Sequence, residues 1–219
     1  MLTLHILTAS GRLNTFADLI TEAHRKGVSL IEKVLPLAEV DIVVSDNPNA
    51  AIPEIGVGGY SPNAHRLDIY IDPGFPNLGL ELESKLMRTL AHELHHCARW
   101  SSCGYGNTLF EAVISEGLAD HFDQEVNGKD PLPWSTALTK DQIQFLEPKL
   151  FEEAWKDNYD HSAWFFGTQP HQIPRWAGYT LGYDLTKKYM EFAGKKPSEL
   201  VSEPAKSFYN HFKEHIKRP

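Results

Sequence analysis

The segment Leu90-Ala91-His92-Glu93-Leu94-His95-His96 holds the residues best suited to chemistry. His92 and His96 are four residues apart, so on a helix their imidazoles stand one turn above each other and can aim at one point. A zinc ion takes two such neutral nitrogens at about 2.0–2.1 Å, with a third protein ligand and an open position where its role is catalytic. Glu93 lies beside the pair and can reach a water in that position, where it would act as general base. His95 offers an alternative i,i+3 pairing with His92. The His92/His96 choice is preferred because it keeps Glu93 in register with the ligands.

A helix is required at this point, and the sequence predicts one independently of the motif. From Glu81 to Trp100 there is no Pro or Gly, and Leu82, Leu86, Leu90, Leu94 and Cys97 recur at three- and four-residue steps. Cys97 follows His96, but on a helix it points about 100° away from it, and it reads as a small core residue.

A third ligand is expected on the next helix, within Glu111-Ala-Val-Ile-Ser-Glu-Gly-Leu-Ala-Asp120. Glu116 follows His96 by twenty residues, enough for a turn and a returning helix, and its small apolar neighbours argue against a solvated acidic face. Asp120 is on the same face, and zinc-bound histidines usually donate their second ring N–H to such a carboxylate. Glu111 is a weaker rival for the ligand position. For a donor to the developing oxyanion, Tyr179 is the choice, because Gly178 and Gly182 would let its helix approach closely. A packing stripe of Tyr179 with Tyr183 is the competing reading, and His161 and His171 are alternative donors.

The elements that carry these residues fall into two stretches. Residues 2–8, Val40–Ser45, Ile55–Tyr60 and Arg66–Asp72 read as strands, with a helix from Leu13 to Val34 and a hairpin turn at Ser61-Pro-Asn-Ala64. After the break at Pro73-Gly-Phe-Pro76 come the motif helix and helices over 109–126, 141–155, 176–192 and 198–216, with an aromatic connector over 155–176. Sheet first and helices after is an α+β arrangement. It is read as one domain over 1–219, sheet-rich to about residue 80 and helical from 81.

Composition narrows the function classes. Lys plus Arg number 21 and Asp plus Glu 29, a formal net charge of −8, which disfavours nucleic acid and anionic lipid as partners. No apolar run approaches the ~18 residues of a membrane helix, and the N-terminus lacks the basic and apolar regions of a signal peptide. Two cysteines are too few for a disulfide framework, so a reduced cytoplasmic protein is expected. Nothing marks an oligomer interface.

Three segments carry a resemblance: His92-Glu-Leu-His-His-Cys-Ala-Arg99, Ser115-Glu-Gly-Leu-Ala119 and Trp176-Ala-Gly-Tyr-Thr-Leu-Gly-Tyr183. They resemble the zinc-dependent protease family DUF2268, and more broadly the gluzincins, whose best-known members are similar to thermolysin. The similar segments cover roughly residues 55–190. The gluzincin pattern maps onto His92, His96 and Glu116 as zinc ligands, Glu93 as base and Asp120 four residues beyond the distal ligand. It implies a zincin-like fold in which an edge strand, Gly56–Tyr60 or Arg66–Ile71, pairs with an extended peptide or protein substrate. The chain is shorter than thermolysin-like enzymes and has no match to their substrate-binding lobe. Two other functions remain open: a structural or sensory zinc module closed by a fourth ligand such as His95 or His171, and a zinc hydrolase of a non-peptide amide.

Overall fold

Among the described residues, four strands and six α-helices follow one another in the order β1, α1, β2, β3, β4, then α2 to α6. The computed structural model describes residues 1–168 and 173–213. They fall into two compact units, one ending at Ser101 and the other starting at Ser102.

In the first unit, β1 (Leu2–Ile6), β2 (Val40–Asp46) and β4 (Arg66–Ile71) are parallel neighbours, and β3 (Val57–Asn63) pairs antiparallel with β4. The sheet is therefore mixed, with order β1-β2-β4-β3, and the α+β expectation holds. β2 puts Val40, Ile42 and Val44 into the core, and β4 buries Leu67, Ile69 and Ile71. Of the two strands considered for the edge role, only β3 is an outer strand. β4 has a neighbour on each side, which disqualifies Arg66–Ile71.

The hairpin turn differs from expectation. β3 continues through Ser61-Pro62-Asn63, with an irregularity between Tyr60 and Asn63, and the chain turns at Ala64-His65. Pro62 has no N–H to give to a ladder, which an outer strand tolerates.

The helix α1 (Ala17–Ile31) and the motif helix α2 (Leu78–Trp100) pack on each other. Leu82, Leu86, Leu90, Leu94 and Cys97, the predicted stripe, are all buried. A Cβ added at Gly27 would come within 3.2 Å of Leu90 Cδ1, so glycine there lets the two helices approach closely. Lys26 of α1 bridges to both carboxylate oxygens of Glu83 at 2.9 and 3.0 Å.

The second unit is helical: α3 (Leu109–Asn127), α4 (Lys140–Glu153), α5 (Ala177–Ala193) and α6 (Ala205–Phe212). α3 is buried on all sides from Ala112 to Asp123, and it packs most extensively on α5. The crossing depends on two glycines. A Cβ on Gly117 would lie 2.2 Å from the Gly182 carbonyl oxygen, and one on Gly182 would lie 2.1 Å from that of Val113. Phe110, Trp164, Phe165, Leu181 and Phe208 fill the core beside this crossing.

Two expected elements are altered. The aromatic connector holds a π-helical turn over Ser162–Phe166. The final helix is divided into a short 3-10 turn, Pro197–Leu200, and α6, because Pro204 cannot continue a helix. The rest of that expected helix, residues 214–216, lies outside the described residues, as does His171.

Candidate metal centre

α2 presents the motif in the register its chemistry needs. The Nε2 atoms of His92 and His96 converge to 3.1 Å, with the rings edge-to-face at 4.7 Å between centroids. Two ligands of one tetrahedral ion, each about 2.0–2.1 Å from it, stand roughly 3.3 Å apart, so the pair is already at the spacing a zinc ion imposes. His96 is buried and His92 partly open.

Glu93 is 7% exposed and lies against the outer strand β3. A Cβ added at Gly59 would sit 2.5 Å from Glu93 Cγ and 2.7 Å from its Oε1, so β3 makes room for the carboxylate by carrying glycine there. Two residues on, Ser61 Oγ is 2.9 Å from both the backbone carbonyl oxygen and Oε2 of Glu93. The same serine is anchored by Trp100, whose Nε1–H donates to the Ser61 carbonyl at 3.0 Å. Cys97 Sγ lies 3.5 Å from Ser61 Oγ, and burial pushes its thiol up to about 11, which keeps it protonated and inert. The expectation that Cys97 is a core residue holds.

In the second unit Glu116 is 7% exposed and accepts a hydrogen bond on Oε1 from the Tyr105 hydroxyl at 2.6 Å. One turn later, Asp120 accepts from Ser135 Oγ at 2.7 Å and from Trp134 Nε1 at 3.2 Å. Both oxygens of Asp120 are thereby engaged by the 3-10 turn Pro133–Thr136. Glu111, the rival ligand, caps its own helix instead. Its Oε2 accepts the backbone N–H groups of Asn107 and Thr108 and the Thr108 hydroxyl, at 3.0, 3.0 and 2.8 Å.

Around Glu116 stand several aromatic side chains. Burial first, and the Glu116 charge second, push the Tyr105 phenol well above its ordinary range. The Tyr159 phenol is pushed up to about 12, again mainly by burial. Its oxygen is 3.0 Å from Nδ1 of His161, whose pKa is lowered by burial. His161 stacks on Phe165 at 4.4 Å, and Phe165 meets Tyr179 edge-on at 5.0 Å. Tyr179 is thus part of a packed aromatic row.

His92, His96 and Glu116 make up the candidate donor group for a metal ion. Its donor set, two imidazoles and one carboxylate, is one that catalytic zinc uses.

Residues 17–210 match the family described as "Predicted Zn-dependent protease (DUF2268)". The chain belongs to this family. It is 29% identical over 126 residues to "Uncharacterized protein YjaZ" of Bacillus subtilis strain 168, an alignment covering 54% of this chain and 48% of that protein. The chain therefore spans about half the length of the curated relative it matches. No solved structure matches it significantly. No described helix is long and apolar enough to cross a membrane.

Sequence reasoning missed Ser61 and Tyr105. Ser61 sits next to Pro62 and Asn63 and reads as part of a turn. Tyr105 lies in a glycine-flanked loop, where nothing in the spacing names its partner. The capping role of Glu111 did have a signal, because Thr108-x-x-Glu111 at a helix start is a capping-box pattern.

Proposed function

We propose that this chain is a zinc-dependent metallopeptidase in which His92, His96 and Glu116 hold the ion and Glu93 is the general base. The observation that carries the reading is the convergence of the His92 and His96 Nε2 atoms at 3.1 Å; Glu116, buried on α3, is proposed as the carboxylate that completes the set. When bound, zinc would acidify a water and polarise the scissile carbonyl. Glu93 would take the proton of the attacking water and return it to the leaving amine nitrogen. Ser61 would keep the Glu93 carboxylate on the side of the helix facing β3. Tyr179 is proposed to donate its hydroxyl to the carbonyl oxygen as negative charge builds there. Asp120 is proposed to support the ligand set as an outer carboxylate.

The substrate is proposed to be an extended peptide or an unfolded segment of a protein, laid along the outer strand β3 by strand addition. With a net charge of −8 and two free cysteines, nucleic acid and membrane surfaces are not proposed as partners, and the cytoplasm is the proposed compartment.

Metal analysis of the full chain, paired with hydrolysis of a mixture of unstructured peptides, tests the reading. It expects about one zinc per chain, since there is one ligand set, and hydrolysis that stops on chelation and returns with zinc. A chain that binds no zinc overturns the metal assignment, and a zinc-loaded chain that cleaves no peptide overturns the enzymatic one.

A further inference from the structure

The loop before α3 is built around one contact. Tyr105 lies between Gly104 and Gly106, both with positive φ, at 82° and 98°. At Gly106 an added Cβ would fall 2.2 Å from Glu111 Cβ, so a side chain there would drive the loop off the helix. Glu111 ties down the next two residues through the Asn107 and Thr108 amides. Ser115, fully buried and adjacent to Glu116 in sequence, donates its hydroxyl to the Tyr105 carbonyl at 2.9 Å. Tyr105 is thus fixed to α3 through its backbone while its phenol reaches Glu116 Oε1 at 2.6 Å. That distance is in the range of charge-assisted O–H···O⁻ bonds.

We propose that Tyr105 is a positioning residue for a metal carboxylate: its hydroxyl holds Oε1 of Glu116, so that Glu116 meets a divalent cation through one oxygen and in one orientation. The inference rests on the reading of Glu116 as a metal ligand. A free glutamate side chain samples many rotamers and loses that freedom on binding. Here the phenol removes much of it before the ion arrives. The phenol also favours single-oxygen ligation, because a chelating carboxylate would have to share Oε1 between the hydroxyl and the metal.

The test is zinc affinity of the full chain, measured by competition with a chromophoric chelator, together with the visible spectrum of the cobalt-substituted protein. Tyr105→Phe keeps the ring and removes the donor. Zinc binding is expected to weaken roughly 10- to 100-fold, the usual cost of losing an outer partner of a ligand, and the cobalt bands to shift. The melting temperature of the metal-free variant should stay near that of the parent. Zinc affinity within about twofold of the parent and an unchanged cobalt spectrum would overturn the inference, since an outer partner is worth more than that. Should Tyr105→Phe not fold, Ser115→Ala is judged by the same criterion, because it releases the loop carbonyl and leaves both Tyr105 and Glu116 in place. Glu116→Gln separates the two levels. If it binds zinc like the parent, the ligand reading fails and the brace with it. If it loses zinc while Tyr105→Phe does not, the brace alone fails.

Discussion

The hydroxyl of Ser61 stands 2.9 Å from both the backbone carbonyl oxygen and the Oε2 carboxylate oxygen of Glu93. One short side chain on β3 thus touches the motif helix at its backbone and at its proposed base. In the proposed reading, a substrate strand added to β3 would lie on the same element that holds Glu93, and peptide binding and base position would share one support.

Removing that support should act on the chemical step. Ser61→Ala deletes a hydrogen bond to a charged group, worth about 1.5–3 kcal/mol. The expected outcome is kcat lower by roughly 10- to 100-fold at that cost, with KM and zinc content little changed. Steady-state kinetics with parallel metal analysis checks it. A loss confined to KM would place Ser61 in substrate binding instead.

The α3–α5 crossing makes a stability prediction. Gly117→Ala puts a Cβ against the Gly182 carbonyl, a backbone atom that cannot rotate aside. Overpacking of this kind costs typically 1–3 kcal/mol, and the upper end is expected here. At about 3 kcal/mol the melting temperature should fall by roughly 6–12 °C for a chain of this size. Thermal unfolding followed by circular dichroism measures it.

The two thiols should differ sharply in reactivity. Cys97 is buried with its pKa pushed up to about 11, whereas Cys103 is exposed. Since the thiolate is the reacting form, iodoacetamide at pH 8 should label Cys103 alone in the native chain and both cysteines in denaturant. Mass spectrometry of the digested chain reads the two sites separately.

His121 predicts a pH dependence. Its ring is buried, stacks on Tyr183 at 3.9 Å between centroids, and has Nε2 2.9 Å from the Tyr183 carbonyl oxygen. Burial lowers its pKa from the ordinary 6.5. Below that value the unfolded chain binds the proton more readily than the folded one, so stability is full above about pH 6.5 and declines as pH falls toward the lowered folded value. The melting temperature should drop on acidification from pH 7.5 to 5.5, and His121→Gln, which keeps an N–H donor, should show a smaller drop. An equal drop in both would remove His121 as a cause.

Much of this arrangement was readable in the sequence because it depends on period. The stripe Leu82, Leu86, Leu90, Leu94 and Cys97 gave the helix, and the i,i+4 spacing put His92 and His96 on one face of it. The small residues around Glu116 pointed to a carboxylate out of solvent, and it is buried. The parts that escaped depend on tertiary pairing. Ser61 is next to Pro62 and Asn63, which favour turns in isolation, but an outer strand accepts a proline, so β3 runs on to Asn63. Tyr105 finds Glu116 only because Gly106, Glu111 and Ser115 fold the loop back onto α3, a geometry no periodicity encodes. The choice of edge strand needed the order β1-β2-β4-β3, which places β4 inside although its sequence is as strand-like as that of β3.

The most direct test of the account is Glu93→Gln in the zinc-loaded chain. The amide keeps the shape of the side chain and loses its capacity to take a proton. The prediction is zinc content equal to the parent and peptide hydrolysis lower by roughly 10²- to 10⁴-fold, the contribution expected of a general base. Hydrolysis at the parent's kcat/KM in that variant would contradict the assignment of Glu93 as the base.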